Sequence, residues 1–565
     1  MRKTSISAWI LALSAALGCD ASERAAGERA APTLERHTIA VGSPLPELAF
    51  DGVAADGSPA RLDLDAAATG ADRLLLVVSG GTWCGTCRWL ARPLEELLGP
   101  AMASRLARLD LVLGDHVNDT PGLEAARAWR ALGVEGPVAV DPLHRLRALF
   151  KNNAALPLVV LIDPATMTVT DAITNPTTRT LRRRVAASLG MAPGEEAPLI
   201  DDRFDENEWA LLRETTLPTA VPADPTSAYA DDPRAAALGR ALFFDAGLSP
   251  LGVSCAHCHR PERQLHGDGP VGVGASAGRR RAPSVALAAF APRQLWDGRA
   301  ETLGSQALLP MEDPTEMAST RVQVARRLLT EHRAAYVAVF GRPSVETDDW
   351  PEAGMPGMPA FDALPATTRT AITEIFVHAG EAIAAWERTL RVAPNPLDAY
   401  LAGDLDALTP EQKYGLQAFV RHGCQQCHWG PRLTDDAFHN VGMPSRVTDG
   451  QIDRGRYDVV ERPSARHVGQ FKTPPLRGVA HAAFFGHAGM HPDLGMLMTL
   501  YGFGPGEDAL GEDAVGEREP WLPPFGETVQ WGLVPFLEAL TAEVSPPLAP
   551  KAPGSVAFTP LPGRS

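Results

Sequence analysis

The chain has 565 residues, of which 45% are hydrophobic and 21% charged. That length exceeds what a single core organises, so about three domains are expected, and the balance is that of a water-soluble globular protein. A net charge of −16 argues against nucleic acid as a partner and favours a basic protein partner, such as a small basic electron-transfer protein.

Arg2 and Lys3 precede an apolar run, Ile6 to Leu17, that is too short to span a bilayer as a helix. The run ends at Ala16-Leu17-Gly18-Cys19, which resembles a bacterial lipoprotein signal. Residues 1–19 are therefore expected to be a signal peptide, with Cys19 as the lipid-bearing anchor to a membrane. An ordinary secretory signal cut nearby is the other reading. Both place the mature protein in the periplasm or cell envelope. Residues 20–42 are polar and Ala-rich and read as a tether.

Residues 43–192 read as one unit. Leu74 to Val78 is the apolar run of a buried strand, and it leads into Thr82-Trp83-Cys84-Gly85-Thr86-Cys87. A helical pattern follows from Arg88 to Leu98. Leu158 to Ile162 is a second buried strand, introduced by Pro157. Strand, Cys-x-x-Cys, helix and a later Pro before a strand resembles the α/β thioredoxin-like fold of secreted or tethered thiol-disulfide proteins. The resemblance implies that Pro157 is a cis proline facing the thiols. A helix N-terminus would lower the first thiol's pKa, making Cys84 the nucleophile and Cys87 the resolving thiol. It also implies exchange with a thiol-disulfide partner, or a domain that keeps the fold without turnover.

Residues 193–230 are rich in Glu, Asp, Pro and Thr, and Pro218, Pro222 and Pro225 break helices there, so the segment reads as a linker. Helical patterns then dominate: Ala235 to Phe244, Thr320 to Phe340, Thr367 to Val392, and Thr409 to His422 with Thr409 as cap and Pro410 at the first helical position. Loops rich in Gly and Pro separate them, notably Gly267 to Pro283 and Gly341 to Pro365.

The chain holds seven cysteines. Two runs, Cys255-Ala256-His257-Cys258-His259 and Cys424-Gln425-Gln426-Cys427-His428, share a Cys-x-x-Cys-His pattern. That is the attachment signature of a c-type haem: two thiols add to two vinyl groups, and the adjacent imidazole binds iron. Zinc knuckles or disulfides are the other reading, but zinc spacing does not require His directly after the second Cys. With Cys19 on lipid and Cys84 paired with Cys87, the remaining four cysteines attach two covalent haems, and no structural disulfide framework is left over.

The flanks add to this. Leu242-Phe243-Phe244-Asp245, Gln294-Leu295-Trp296-Asp297-Gly298-Arg299-Ala300 and Pro314-Thr315-Glu316-Met317 stand in the first half. Ala385-Trp386-Glu387-Arg388-Thr389-Leu390, Gly430 to Asp435, Phe438-His439-Asn440-Val441-Gly442 and Phe471 to Arg477 stand in the second. Over residues 231 to about 545 this resembles the bacterial di-haem cytochrome c peroxidases and the related maturation enzymes of methylamine dehydrogenase. The resemblance implies two mainly α cytochrome c-type haem domains, a peroxidatic one at 231–402 and an electron-entry one at 403–548, with a tail at 549–565. His259 and His428 would be the proximal iron ligands. Hydrogen peroxide would be cleaved at the first haem, and electrons would enter at the second from a small c-type cytochrome or cupredoxin.

Several positions follow from that likeness. Gln294 stands where the family holds peroxide with a Gln. The family's Glu falls on Gly304, so Glu301, one turn earlier, is either a substitute acid-base group or a solvated carboxylate. Where many relatives carry a capping His the chain has Ala275, and His266 is expected to be a surface or loop residue, so the first iron is expected to be open. For the second iron, counting from His487 gives Tyr501 as the distal ligand, with Met498 (or Met496) as the alternative after a register slip. A Trp between the haems of relatives is replaced here by Ala286. An Asn that helps hold calcium in relatives is replaced by Arg281, so calcium is not assumed, and Arg279 to Arg281 would pair with haem propionates or be solvated. The favoured reading is a di-haem peroxidase with a thiol-disulfide domain. The alternatives are a maturation-type oxidase acting on a partner protein, or an electron-transfer and redox-sensing module.

Overall fold

Apolar runs without polar alternation build a seven-stranded sheet in the N-terminal part of the chain. The computed structural model describes residues 39–545 apart from 83, 114–121, 142–144, 147–148, 151–155, 195, 218–219, 346, 444–449, 503–514 and 517–526. The expected signal peptide with Cys19, the tether as far as residue 38, and the tail lie outside the described residues. The strands are β1 (Ala49–Val53), β2 (Pro59–Asp63), β3 (Arg73–Ser79), β4 (Leu106–Val112), β5 (Val138–Val140), β6 (Leu158–Asp163) and β7 (Thr168–Thr174), in the order β2-β1-β5-β4-β3-β6-β7. β3 pairs in parallel with β4 and antiparallel with β6. Both β3 and β6 are buried along their length, as a strand covered on two faces requires.

β3 delivers the chain to Cys84, which is the N-cap of helix α1 (Gly85–Arg88). Cys84 and Cys87 are disulfide-bonded, and the Leu156–Pro157 peptide bond is cis. The helix expected from Arg88 to Leu98 is broken. After a 3-10 turn at Trp89–Ala91, Pro93 ends it, and a new helix runs over Leu94–Leu98. These features make the domain thioredoxin-like.

The segment read as a linker is partly structural. Helix α2 (Glu206–Arg213) lies in it, started by a capping box of Asp205 and Glu208. Phe204 and Leu212 share a core with Leu397, Tyr400, Leu416 and Phe419. Asp201 pairs with Lys413 (3.1 Å), and Glu208 with Arg421 (3.1 Å). The composition that suggested a spacer comes from the prolines C-terminal to α2.

The rest is helical: α3 (Pro233–Phe243), α4 (Leu303–Glu312), α5 (Ala366–Glu387), α6 (Pro410–Arg421), α7 (Leu494–Gly502) and α8 (Glu527–Ala539). They form two layers with separate cores. In the first, α3 crosses α5 so closely that a Cβ on Gly239 would overlap the carbonyl oxygen of Ala382. In the second, α6 crosses α8, and a Cβ on Gly415 would overlap the carbonyl oxygen of Gly532. α6 has Thr409 as its N-cap and Pro410 in its first turn. The helix expected over Thr320 to Phe340 divides at His332, whose Nε2 bonds Asp245 (2.8 Å). α5 stops at Glu387, and Arg391–Val392 instead pairs antiparallel with Val544–Ser545. Among the described residues no helix is long and apolar enough to cross a membrane.

Overpacking a crossing of this kind costs about 1–3 kcal/mol. Gly239→Ala is therefore expected to lower the melting temperature by several degrees, read by thermal unfolding of the holoprotein.

Candidate active site

Both Cys-x-x-Cys-His runs sit on short turns after the crossing helices of their layers. Cys255–Cys258 is a single helical turn, and His259 follows it. The imidazole Nδ1 of His259 lies 2.9 Å from the Pro283 carbonyl oxygen and 3.3 Å from that of Leu265. Burial lowers the pKa of His259, so the ring is neutral. A neutral ring that donates from Nδ1 to carbonyls keeps its lone pair on Nε2, the arrangement a metal-binding imidazole needs. His428 repeats this, with Nδ1 3.0 Å from the Leu433 carbonyl and its pKa lowered by burial.

Cys258 borders one cavity and Cys424 and Cys427 another, and all four motif cysteines are partly buried. Burial pushes the thiols of Cys255 and Cys424 up to about 12, and that of Cys258 up to about 11. Such slots disfavour the thiolates that zinc requires and suit the uncharged thioethers of an attached haem. The residues present thus fit two c-type haems.

His259 and Cys258 line a cavity of about 880 Å³. Gln294 lines it too. It is buried, and its Nε2 donates to the carbonyls of Ala288 (2.9 Å) and Ala291 (3.1 Å), which fixes the amide plane. No second His, and no Met or Tyr, lines this cavity among the described residues. Glu301 does not line it. Its side chain is 78% exposed and pairs with Arg293 at 3.4 Å. The reason is local: α4 begins at Leu303 with Thr302 as its N-cap, so Glu301 precedes the helix and shares no helical face with Gly304. The carboxylates that do line the cavity include Glu312 and Glu316. Glu312 is held by Arg321 (2.9 and 3.0 Å). Glu316 is raised above the usual carboxylate range by burial, with the charge of Asp313 adding to it. Glu316 stands inside the Pro-Thr-Glu-Met motif, where its carboxylate was a signal that a spacing count alone passes over.

His266, expected to be a surface or loop residue, lies in the loop after the first motif, is buried, and lines the second cavity instead of the first. Burial, with Arg281 nearby, pushes it down to about 3. The second cavity, about 170 Å³, is lined by Cys424, Cys427 and His428 on one hand and by Tyr501, Met498 and Met443 on the other. Tyr501 is pushed up by burial and keeps its proton at neutral pH. Met496 is 52% exposed. Met443 was not expected, because it lies far from the His487 anchor in sequence.

Arg281, Trp296 and Lys472 line both cavities. Ala286 stands where relatives place a Trp, yet the indole of Trp296 bridges the two sites, its Nε1 donating to the Arg281 carbonyl (2.9 Å). Arg280 lies between Asp297 (2.5 Å) and Asp453 (2.7 and 2.8 Å), so the protein supplies its own cation to those carboxylates. Arg281 is buried, and its Nη1 has no hydrogen-bond partner among the described residues. Burial pushes it down to about 10. A buried cation of this kind fits a haem propionate.

The family model for di-haem cytochrome c peroxidase matches residues 233–406. The cytochrome c551 peroxidase of Pseudomonas aeruginosa is 32% identical over 335 residues, covering 58% of this chain and 84% of that protein. The chain belongs to the di-haem cytochrome c peroxidase family. The methylamine utilization protein MauG of Methylorubrum extorquens is likewise 32% identical, covering 62% of this chain and 90% of its own length. The crystal structure of the diheme peroxidase BthA from Burkholderia thailandensis is 26% identical, with a TM-score of 0.45, over 57% of this chain and 89% of that one. Members of the family are peroxidase-like oxidoreductases, and membership implies two c-type haems.

Two measurements test this geometry. Trp296→Phe keeps most of the packing and is expected to slow donor-driven turnover about tenfold without loss of haem content, read by stopped-flow absorbance. Glu387, near Cys255, is buried, its Oε2 has no hydrogen-bond partner among the described residues, and burial pushes its carboxyl up to about 8. A carboxyl raised from about 4.3 in the unfolded chain contributes stability that is full below that value and is lost as pH rises through about 8. Glu387→Gln should therefore melt at a higher temperature than the parent at pH 8, with the difference shrinking by pH 5.

Proposed function

We propose that the chain reduces hydrogen peroxide to water at the His259 site, with electrons from a small c-type cytochrome or cupredoxin entering at the His428 site. The observation that carries this is the contrast between the cavities. Among the described residues the first offers the His259 imidazole and no second imidazole, thioether or phenol, and the second adds a phenol, two thioethers and further imidazoles, His266 and His439 among them, to that of His428. Residues 231–402 and 403–548 are then the peroxidatic and electron-entry haem domains. The bound haems supply iron for peroxide cleavage and for electron storage.

The chain's own groups do the rest. The bond from His259 Nδ1 to Pro283 aims Nε2 and raises its basicity as a ligand. Gln294, its amide already fixed, orients the peroxide. Glu316, held toward its protonated form by burial, carries the proton from the near to the far oxygen, a part for which the exposed Glu301 is badly placed. Arg281 balances negative charge between the two sites. The net charge of −16 suits a basic donor. On this reading the protein works in the periplasm or cell envelope, where haem c is attached, with Cys19 as its lipid anchor.

A second reading has its own support. Tyr501 lines the second cavity, and a Tyr ligand would lower that haem's potential relative to Met. This favours a maturation-type oxidation of a partner protein, and the relatives include methylamine utilization proteins of similar identity. Steady-state peroxide consumption with reduced cytochrome c separates the two. Gln294→Ala and Glu316→Gln should each lower kcat/KM for peroxide by about 10²-fold. Absence of turnover with either reduced cytochrome or a small artificial donor sinks the peroxidase reading.

A further inference from the structure

The dithiol does not face solvent. Cys84 and Cys87 are both fully buried, and α1, which carries them, packs against the turn Cys424–Gln426 that opens the second haem motif. The contact is held from several sides. Gln426 Nε2 donates to the carbonyl of Leu156, the residue before cis Pro157. Asn175 Nδ2 donates to the carbonyls of Val420 (3.1 Å) and Arg421 (2.9 Å), at the end of α6. The Arg88 guanidinium lies 4.8 Å from the ring centroid of Trp429, directly after His428, and pairs with Glu214 at 3.5 Å. Gln425 and Gln426 are 4% and 1% exposed, so the thiol domain seals this turn.

A dissolved disulfide cannot reach Cys84 in this arrangement. A haem held by Cys424 and Cys427 would be the redox group next to this contact. We infer that Cys84 and Cys87 form a built-in electron donor to the di-haem unit, across the contact between α1 and the Cys424 turn. This rests on the peroxidase reading above. The two thiols lose two protons and two electrons and become the Cys84–Cys87 disulfide. One hydrogen peroxide takes up those two electrons and two protons and becomes two waters. The electrons cross singly, because each haem iron changes by one. The pair is recharged by the dithiol of a partner protein when the face opens. The contact suits opening: its polar ties are amide–carbonyl bonds, a half-exposed ion pair and a cation–π pair, and the core of the thiol domain is separate from that of the second haem layer.

The test uses the full-length holoprotein. It is reduced with dithiothreitol, freed of excess reductant without oxygen, and given two equivalents of hydrogen peroxide and no other donor, the first to take the two electrons that ferrous haems hold. Thiols are then trapped with a maleimide and counted by mass. The expected result is one dithiol lost, at Cys84 and Cys87, for the peroxide consumed beyond that first equivalent, and no such further donor-free consumption in Cys84→Ser. Arg88→Glu combined with Asn175→Ala loosens the contact. It should slow thiol loss about tenfold while peroxide consumption with ascorbate stays unchanged. Four outcomes overturn the inference. Thiols that stay reduced while ascorbate supports turnover do so and leave the peroxidase reading standing. Thiols lost as fast in the loosened variant do so by showing direct attack of peroxide on Cys84. A Cys84→Ser chain lacking its second haem does so by placing the dithiol in haem attachment. No peroxide consumption with any donor overturns the inference and the peroxidase reading together.

Discussion

The crossing of α3 over α5 at Gly239, and of α6 over α8 at Gly415, sets where both haem motifs stand. Backbones that meet without an intervening side chain leave the turn beyond each crossing little freedom. His259 and His428 therefore find their carbonyl partners at fixed positions. The tautomer of each ring follows from those bonds, and the aim of each Nε2 follows from the tautomer. A methyl group at either glycine would act on iron ligation through this chain of constraints, far from any metal ligand.

On that common frame the two sites diverge through what surrounds them. The first cavity is large and carries an amide and carboxylates. The second is small and ringed by sulfur, phenol and imidazole. Arg280 and Arg281 divide the charge between them. Arg280 is satisfied by two aspartates, and Arg281 is left as a buried cation with no carboxylate partner among the described residues. Trp296 spans the gap with an aromatic ring from a different part of the chain than the missing relay at Ala286.

Much of this was legible in the chain because it depends on local spacing. The Cys-x-x-Cys-His runs, the apolar run of Leu74 to Val78 and the Thr409 cap are written within a few residues of one another. What escaped depends on where a helix starts or on contacts distant in sequence. Glu301 looked one turn from Gly304, but the cap at Thr302 puts it outside the helix. His266 is the loop residue it looked like, but neighbours brought by the second layer bury it. Prolines marked residues 193–230 as a spacer, while Phe204 and Leu212 commit part of it to a core made mostly of residues from Leu397 onward. Met443 reaches its cavity by tertiary folding alone.

The pairing of Arg391–Val392 with Val544–Ser545 has a consequence for how the protein is assembled. Val544 also donates its amide to Gln264 Oε1 at 2.6 Å, in the loop behind the first haem motif. The first layer is thus completed by residues that are synthesised after the whole second layer. A chain growing from its N-terminus holds an unfinished first layer until the second has been made. The layer that carries Cys255 to His259 is therefore the last to be completed.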